Sequence, residues 1–281
     1  MIDLDTAKVE VVRLTFPADD HPIILVRESQ GWVASRGNTS TLANPEAVRE
    51  LIHEISGIEV SSIVTDQPAS WPVFGVGENQ GVRVEVLGKG EKLEDFLAGL
   101  GTADPEVGKG HYFVRLTQQN EVYRVENNDM SFSSPNFDRY RNSHFFNLTD
   151  KGAIQTIVYK KGHKDYLVKN VGNQWVFDQD NLLDSIQVQT YLQALADVSG
   201  ASFADNFDET RADEFFDRAL SFHLKGKKSL TVNCFRDSSW QNRYVLHSEM
   251  NPESWFESDS SGIFELFFKR FEQILPPDIK L

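Results

Sequence analysis

Two tryptophans sit in the same local phrase 143 residues apart: Leu25-Val26-Arg27 before Gly31-Trp32-Val33, and Leu167-Val168-Lys169 before Gln174-Trp175-Val176. Each is followed 25 residues later by a glycine, Gly57 or Gly200, that ends an amphipathic run. A shared spacing of this kind predicts a tandem duplication of one α+β unit, because repeated units keep a fixed period of apolar and turn residues. The repeated signal consists of core-forming residues, so it constrains the fold and says little about chemistry.

The 281 residues suffice for two units of ordinary domain size, each with its own core. A hydrophobic fraction of 40% with 20 Phe and 5 Trp places the chain among globular proteins. The formal net charge of −14 argues against a nucleic-acid groove, which needs clustered cations to displace counterions. The short basic runs Lys160-Lys161-Gly162-His163-Lys164 and Lys225-Gly226-Lys227-Lys228 have hairpin-turn composition and read as solvated loop tips. The single Cys234 lies in an apolar stretch and reads as a small buried hydrophobe. No apolar run approaches the roughly 20 residues that span a bilayer, and no signal-like region opens the chain. A chain that had lost an N-terminal anchor would read the same.

Along the first unit, Val9–Thr15, Pro22–Arg27 and Gly31–Ala34 read as a meander of three strands. Asn44 as N-cap and Pro45 at the first turn then open a helix whose apolar face is Val48, Leu51, Ile52 and Ile55. Strands are expected at Gly81–Leu87, Phe96–Leu100, His111–Thr117 and Glu121–Val125. The second unit repeats the order with Ala153–Tyr159, Asp165–Lys169 and Gln174–Phe177, then a helix near Ser185–Val198. At the 143-residue offset Tyr191, Leu195 and Val198 replace Val48, Ile52 and Ile55. Strands at Leu220–Leu224, Ser229–Phe235 and Arg243–His247 follow, and the Phe-rich run Ile263–Leu275 reads as a closing helix before Pro276-Pro277. The fold expected is α+β: two tandem repeats, each an antiparallel meander or sheet with one covering amphipathic helix. They occupy residues 1–142 and 152–281, with a junction at 143–151.

An ordered set of short motifs accompanies this pattern. Gly31-Trp32-Val33 and its helix are followed by Phe74-Gly75-Val76, Leu97-Ala-Gly-Leu-Gly101, Tyr112-Phe-Val-Arg115, Val122-Tyr123 and Asp138-Arg-Tyr-Arg141. Over most of its length the chain thereby resembles the domain-of-unknown-function family 4340. The resemblance implies an N-terminal membrane helix, which this chain lacks, and genes placed near gliding-motility-type ABC transporters. It therefore implies an extracytoplasmic, periplasmic accessory role in a bacterial membrane complex with protein partners, and it carries no catalytic residues. In the second unit Phe216-Asp-Arg-Ala219 echoes Phe74-Gly75-Val76 only weakly.

The candidate chemical sites have plain alternatives. The seven histidines show no zinc-like pairing, so no metal site is expected. Gly75–Gly81 lacks the Lys-Ser/Thr of a phosphate loop and reads as an ordinary loop, and no Gly-x-Ser-x-Gly elbow is present. The acidic stretches Asp178–Asp184 and Asp205–Asp217 lack the pattern of a calcium loop and read as caps or solvated faces. Trp32 and Trp175 could stack on a sugar, but their place between strand residues favours packing under the helix, where truncation to Ala costs ~3–5 kcal/mol.

The aromatics near the junction form the remaining candidate surface. Phe132, Phe137, Tyr140, Phe145 and Phe146, interleaved with Arg139 and Arg141, are expected either to form a recognition patch or to fasten one unit to the other. The functional expectation is a non-catalytic, extracytoplasmic binding or scaffolding module of a membrane-associated complex of ABC-transporter type, without cofactor and without nucleic acid. The alternatives are a glycan-binding protein using exposed aromatics and a hydrolase with its site between the two units.

Overall fold

The computed structural model describes residues 2, 4–17, 19–100, 111–126, 130–172, 174–178, 181–226, 229–237, 242–277 and 279. Gly101, Gln179, Asp180, Lys227 and Lys228 of the motifs above lie outside the described residues. The chain divides into two compact units, Met1–Asn142 and Ser143–Leu281.

The first unit opens with β1 (Val11–Thr15), β2 (Ile23–Glu28), β3 (Gly31–Arg36) and β4 (Thr39–Leu42), followed by α1 (Pro45–Ser56). After α1 come β5 (Glu59–Thr65), β6 (Val82–Leu87), β7 (Lys92–Leu100), β8 (Tyr112–Leu116) and β9 (Val122–Glu126). They form one nine-stranded antiparallel sheet in the order β4-β3-β2-β1-β6-β7-β8-β9-β5. Period-two burial selects the core face: Val12 and Leu14, Ile23 and Leu25, and Val82, Val84 and Val86 are buried while their neighbours are more open.

The α1 helix lies on that face. The Asn44 side-chain oxygen accepts from the backbone N–H groups of Glu46 (3.0 Å) and Ala47 (3.3 Å), Pro45 occupies the first turn, and the Gly57 N–H returns to the His53 carbonyl at 2.9 Å. Both ends are thus satisfied as the sequence predicts. Val48, Leu51, Ile52 and Ile55 are buried, each worth about 1.5–3 kcal/mol relative to exposure. A smaller core of Val76, Leu97, Phe113 and Val122 is covered by the turn Pro68–Phe74. The backbone there packs so closely that a Cβ on Gly99 would lie 2.1 Å from the Gly75 carbonyl oxygen, so only glycine fits.

The second unit begins with β10 (His144–Phe146), β11 (Ile154–Lys161), β12 (Lys164–Val171), β13 (Gln174–Phe177) and β14 (Asn181–Leu182), then α2 (Ser185–Ala194). It continues with β15 (Val198–Ser199), β16 (Ser202–Phe203), β17 (Phe216–Leu224), β18 (Leu230–Arg236), β19 (Tyr244–Ser248) and β20 (Asn251–Ser258). Its sheet runs β14-β13-β12-β11-β17-β18-β19-β20-β16, element for element the order of the first. Trp32 and Trp175 occupy the same place, on β3 opposite Arg27 and on β13 opposite Asn170. A helical run closes the chain: Gly262–Phe264, a π-helical turn Glu265–Lys269, and Arg270–Ile274.

Four expectations are corrected. The helices match at an offset of three residues less than the tryptophans: the caps are Asn44 and Asp184, and Val188, Tyr191, Leu192 and Leu195 take the places of Val48, Leu51, Ile52 and Ile55. The connection before α2 is shorter, which the sequence pairing hid by slipping almost one helical turn. Gly57 and Gly200 are consequently not equivalent. Gly57 closes α1, whereas α2 ends at Ala194 and Gly200 sits between β15 and β16, where a Cβ would come within 2.0 Å of the Phe256 ring.

Residues 143–151, expected as a junction between the repeats, belong to the second unit. Phe145 packs edge-on against Phe256 and Phe267, both at 5.4 Å, and Phe146 meets Phe267 at 5.2 Å, so this segment belongs to the second core. Finally, the two indoles differ: Trp175 is 1% exposed, while Trp32 only lines the edge of its core.

The closing helix is held by an ionic cluster. Glu272 accepts from Tyr159 Oη, from Arg218 Nη1 at 2.8 Å and from Lys161 Nζ at 3.1 Å, and Asp217 takes Arg218 Nε at 2.6 Å. Burial, then the hydrogen bond to Glu272, drives the Tyr159 hydroxyl well above its usual range, so it stays a donor.

Trp175→Ala is expected to cost ~3–5 kcal/mol in the second unit's unfolding transition, and Trp32→Ala distinctly less in the first, by urea denaturation. Equal losses would show the indoles equally packed. In the first unit burial raises the Asp95 carboxyl, but the Arg83 fork (2.9 Å) and Lys92 (2.6 Å) outweigh it and hold it at about 2. A depressed carboxyl stabilises the fold above its unfolded pKa of ~3.9 and loses that contribution as pH falls through the folded value. Acid titration of first-unit stability should therefore show a loss between pH ~4 and ~2 that Asp95→Asn removes.

Candidate functional site

The incompletely covered Trp32 lines a groove of ≈ 510 Å³ in the first unit. One wall is the α1 flank formed by Pro45, Arg49, Ile52 and His53, positions at i, i+4, i+7 and i+8 that share one side of a helix. The other wall is Trp32 on β3 with Arg27 beside it on β2. Thr6 and Glu50 complete the lining. Arg27 lies at alternate positions to Ile23 and Leu25, so it projects from the core face at the open end of the strand.

Charge is distributed unevenly here. Arg27 is exposed, and its guanidinium has no hydrogen-bond or ion-pair partner among the described residues. Arg49 pairs with Glu46 one turn away, a pair open to solvent on both sides and so worth little. Glu50 faces Arg139 at 3.7 Å. A second hollow of ≈ 560 Å³ shares Arg27 and adds Lys8 and Lys89, opposed by Glu10 and Glu91.

The second unit differs at each of these places. Matched through the strand and helix registers, Thr6, Arg27, Arg49, Glu50 and His53 become Lys151, Asn170, Gln189, Thr190 and Gln193. No residue of α2 is charged. Lys151 Nζ donates to Gln193 Oε1, tying the start of the sheet to the helix where Thr6 and His53 leave a gap. Trp175 is fully buried in this unit.

The junction residues do not form a surface patch. Phe132, Phe137 and Tyr140 are buried in the first core, and Phe145 and Phe146 in the second. Burial raises the Tyr140 hydroxyl to about 12. Arg141 is 2% exposed, with its guanidinium 5.3 Å over the Phe137 ring and Nη1 3.2 Å from Asp138. Arg139 donates to Ser131 Oγ, and Glu54 of α1 accepts from Ser131 Oγ at 2.7 Å. The segment therefore fastens α1 within its own unit, and the sequence missed this because Phe and Arg alternate in it as they would on a surface.

Other reactive groups lie in cores. Burial pushes the Cys234 thiol and the Tyr191 hydroxyl well up, and Tyr191 donates to the Phe267 carbonyl at 2.9 Å. Among the described residues no group of three or more His, Cys, Asp or Glu is placed to hold a metal ion, and no helix is long and apolar enough to cross a membrane. The acidic runs serve as caps: Asp184 accepts from the Ile186 N–H at 2.8 Å and Asp208 from the Thr210 N–H at 3.1 Å. Glu272→Ala, which strips the closing-helix cluster of its shared acceptor, is expected to destabilise the second unit by about 2–3 kcal/mol in urea denaturation.

No curated protein and no solved structure matches the chain. Residues 32–215, more than half of the sequence, match the family described as Domain of unknown function (DUF4340), and the chain belongs to that family.

Proposed function

We propose that this protein is a non-catalytic binding or scaffolding module of an extracytoplasmic, membrane-associated complex of ABC-transporter type, and that it makes contact through the first-unit groove. The observation that carries the reading is the asymmetry between copies. The apolar positions match, yet Arg27, Arg49, Glu50 and His53 beside the partly exposed tryptophan become the uncharged Asn170, Gln189, Thr190 and Gln193 in the other copy. Packing alone gives no reason to keep an unpaired Arg27 beside a partly bare indole, whereas a ligand or partner does. Tyr140, Tyr159, Tyr191 and Cys234, whose ionisation burial disturbs, sit in cores and not in the groove, which favours contact over acid–base work there.

Glycan binding is the second reading, favoured by the partial exposure of Trp32 in a hollow that also offers hydrogen-bonding groups. Co-purification from membranes of the native cell tests the first. The chain should bring down transporter subunits, and Arg27→Glu with Arg49→Glu should abolish this without changing the far-ultraviolet spectrum. Hydrolysis of a glycan or peptide library by the purified protein, lost on Glu50→Gln, would overturn the non-catalytic assignment.

A further inference from the structure

The groove has a chemistry more specific than contact. Its apolar part is the Trp32 indole, with Pro45 and Ile52 from the helix. Its donors are the Arg27 and Arg49 guanidiniums, and Glu50 and Thr6 supply acceptors, with His53 able to serve either way. We infer that the groove binds an acidic saccharide, a pyranose unit bearing one carboxylate, with its C–H face on Trp32, its carboxylate on Arg27 and its hydroxyls shared among Thr6, Glu50 and His53. This rests on the groove being the binding surface proposed above.

Three features select this class. A free guanidinium in a chain of net charge −14 calls for an anion, and a planar fork receives a carboxylate in two parallel hydrogen bonds. The Glu50 carboxylate in the same wall calls for a ligand that also donates hydrogen bonds, as sugar hydroxyls do and the acceptor-only side chains of an acidic peptide do not. A hollow of ≈ 510 Å³ with an indole in its lining is of the size that takes a short oligosaccharide. The second unit provides an internal comparison, because Asn170 replaces the free guanidinium and the Lys151 ammonium is held by Gln193.

Nuclear magnetic resonance of the Trp32 indole N–H in the full chain tests the inference, with the signal assigned by Trp32→Phe. The probes are trigalacturonate, the neutral trimer maltotriose and hexaglutamate. Trigalacturonate should shift the Trp32 signal and leave Trp175 unmoved, with maltotriose weaker by about tenfold or more, the loss expected for one charged hydrogen bond. Arg27→Gln should weaken trigalacturonate by a similar factor, and added salt should weaken it further. Arg27 is exposed and unpartnered, so its variant keeps the fold, checked by an unchanged melting curve.

Equal binding of the neutral trimer, or no effect of Arg27→Gln, overturns the acidic-saccharide assignment. So does tighter binding of hexaglutamate, which would make the groove a peptide site and leave the contact reading intact. If no probe moves Trp32 while the charge reversals still abolish co-purification, the saccharide inference fails alone. If neither responds, both fail.

Discussion

Each unit must cover one broad apolar sheet face with very little helix. Nine strands about 4.8 Å apart span roughly 38 Å, whereas the twelve-residue α1 helix is only about 18 Å long. A single short helix leaves apolar side chains facing water, so a further segment has to complete each core. In the first unit that segment is Met130–Tyr140, pinned to α1 through Glu50 and Glu54. In the second it is the closing helix with β10, which brings Phe145, Phe146, Phe267, Phe268 and Phe271 into one cluster. The first cover stops short of the α1 flank carrying Arg49 and His53, and the groove is what remains uncovered there.

The arginines show what the fold does with a cation that it buries. Arg115 lies 3.7 Å over the Trp71 ring and donates to the carbonyls of Val76 (3.3 Å) and Gln119 (3.2 Å). Arg218 sits 5.2 Å from the Phe264 ring and meets Glu272 and Asp217. Arg141 combines the Phe137 ring with Asp138. In each case an aromatic face and oxygen acceptors replace the lost hydration, the condition under which a buried charge is tolerated. Arg27 has a ring next to it in Trp32 and space in front of it, but no oxygen partner among the described residues.

Much of the architecture is legible because the two tryptophans sit on strands in the same register. The Asn44-Pro45 helix start and the hairpin at Gly162 follow from local capping and turn chemistry that tertiary context does not override. The missed elements have physical reasons. β4 and β14 are short edge strands, and β5 alternates poorly because four of its seven residues are polar or charged. β20 contains Pro252 and only two aromatics, so it reads as a loop until its pairing with β19 is seen. The matched glycine spacing was coincidence: one glycine serves a helix end and the other makes room for Phe256. The groove was legible only in its parts. Arg27 stands in the segment before Trp32, but its unpaired state depends on which of its neighbours reach across, and spacing cannot show that.

Duplication separates two demands that conflict within a single copy. An indole sealed under a helix contributes the most to stability, and an indole left at the edge of a hollow contributes less but can be touched. The same strand pair places both here, so the difference comes from a few side chains. In one unit Lys151 bonds Gln193; in the other Thr6 stands at that place, and Arg27, Arg49, Glu50 and His53 carry polar or charged groups into the groove lining. Those substitutions lie on the helix flank and at the strand ends, where burial is partial, so they alter the groove without disturbing the apolar positions that set the register. A groove on paired strands and a capped helix is also held in place by the scaffold itself, which is the condition for recognition without large ordering cost on binding.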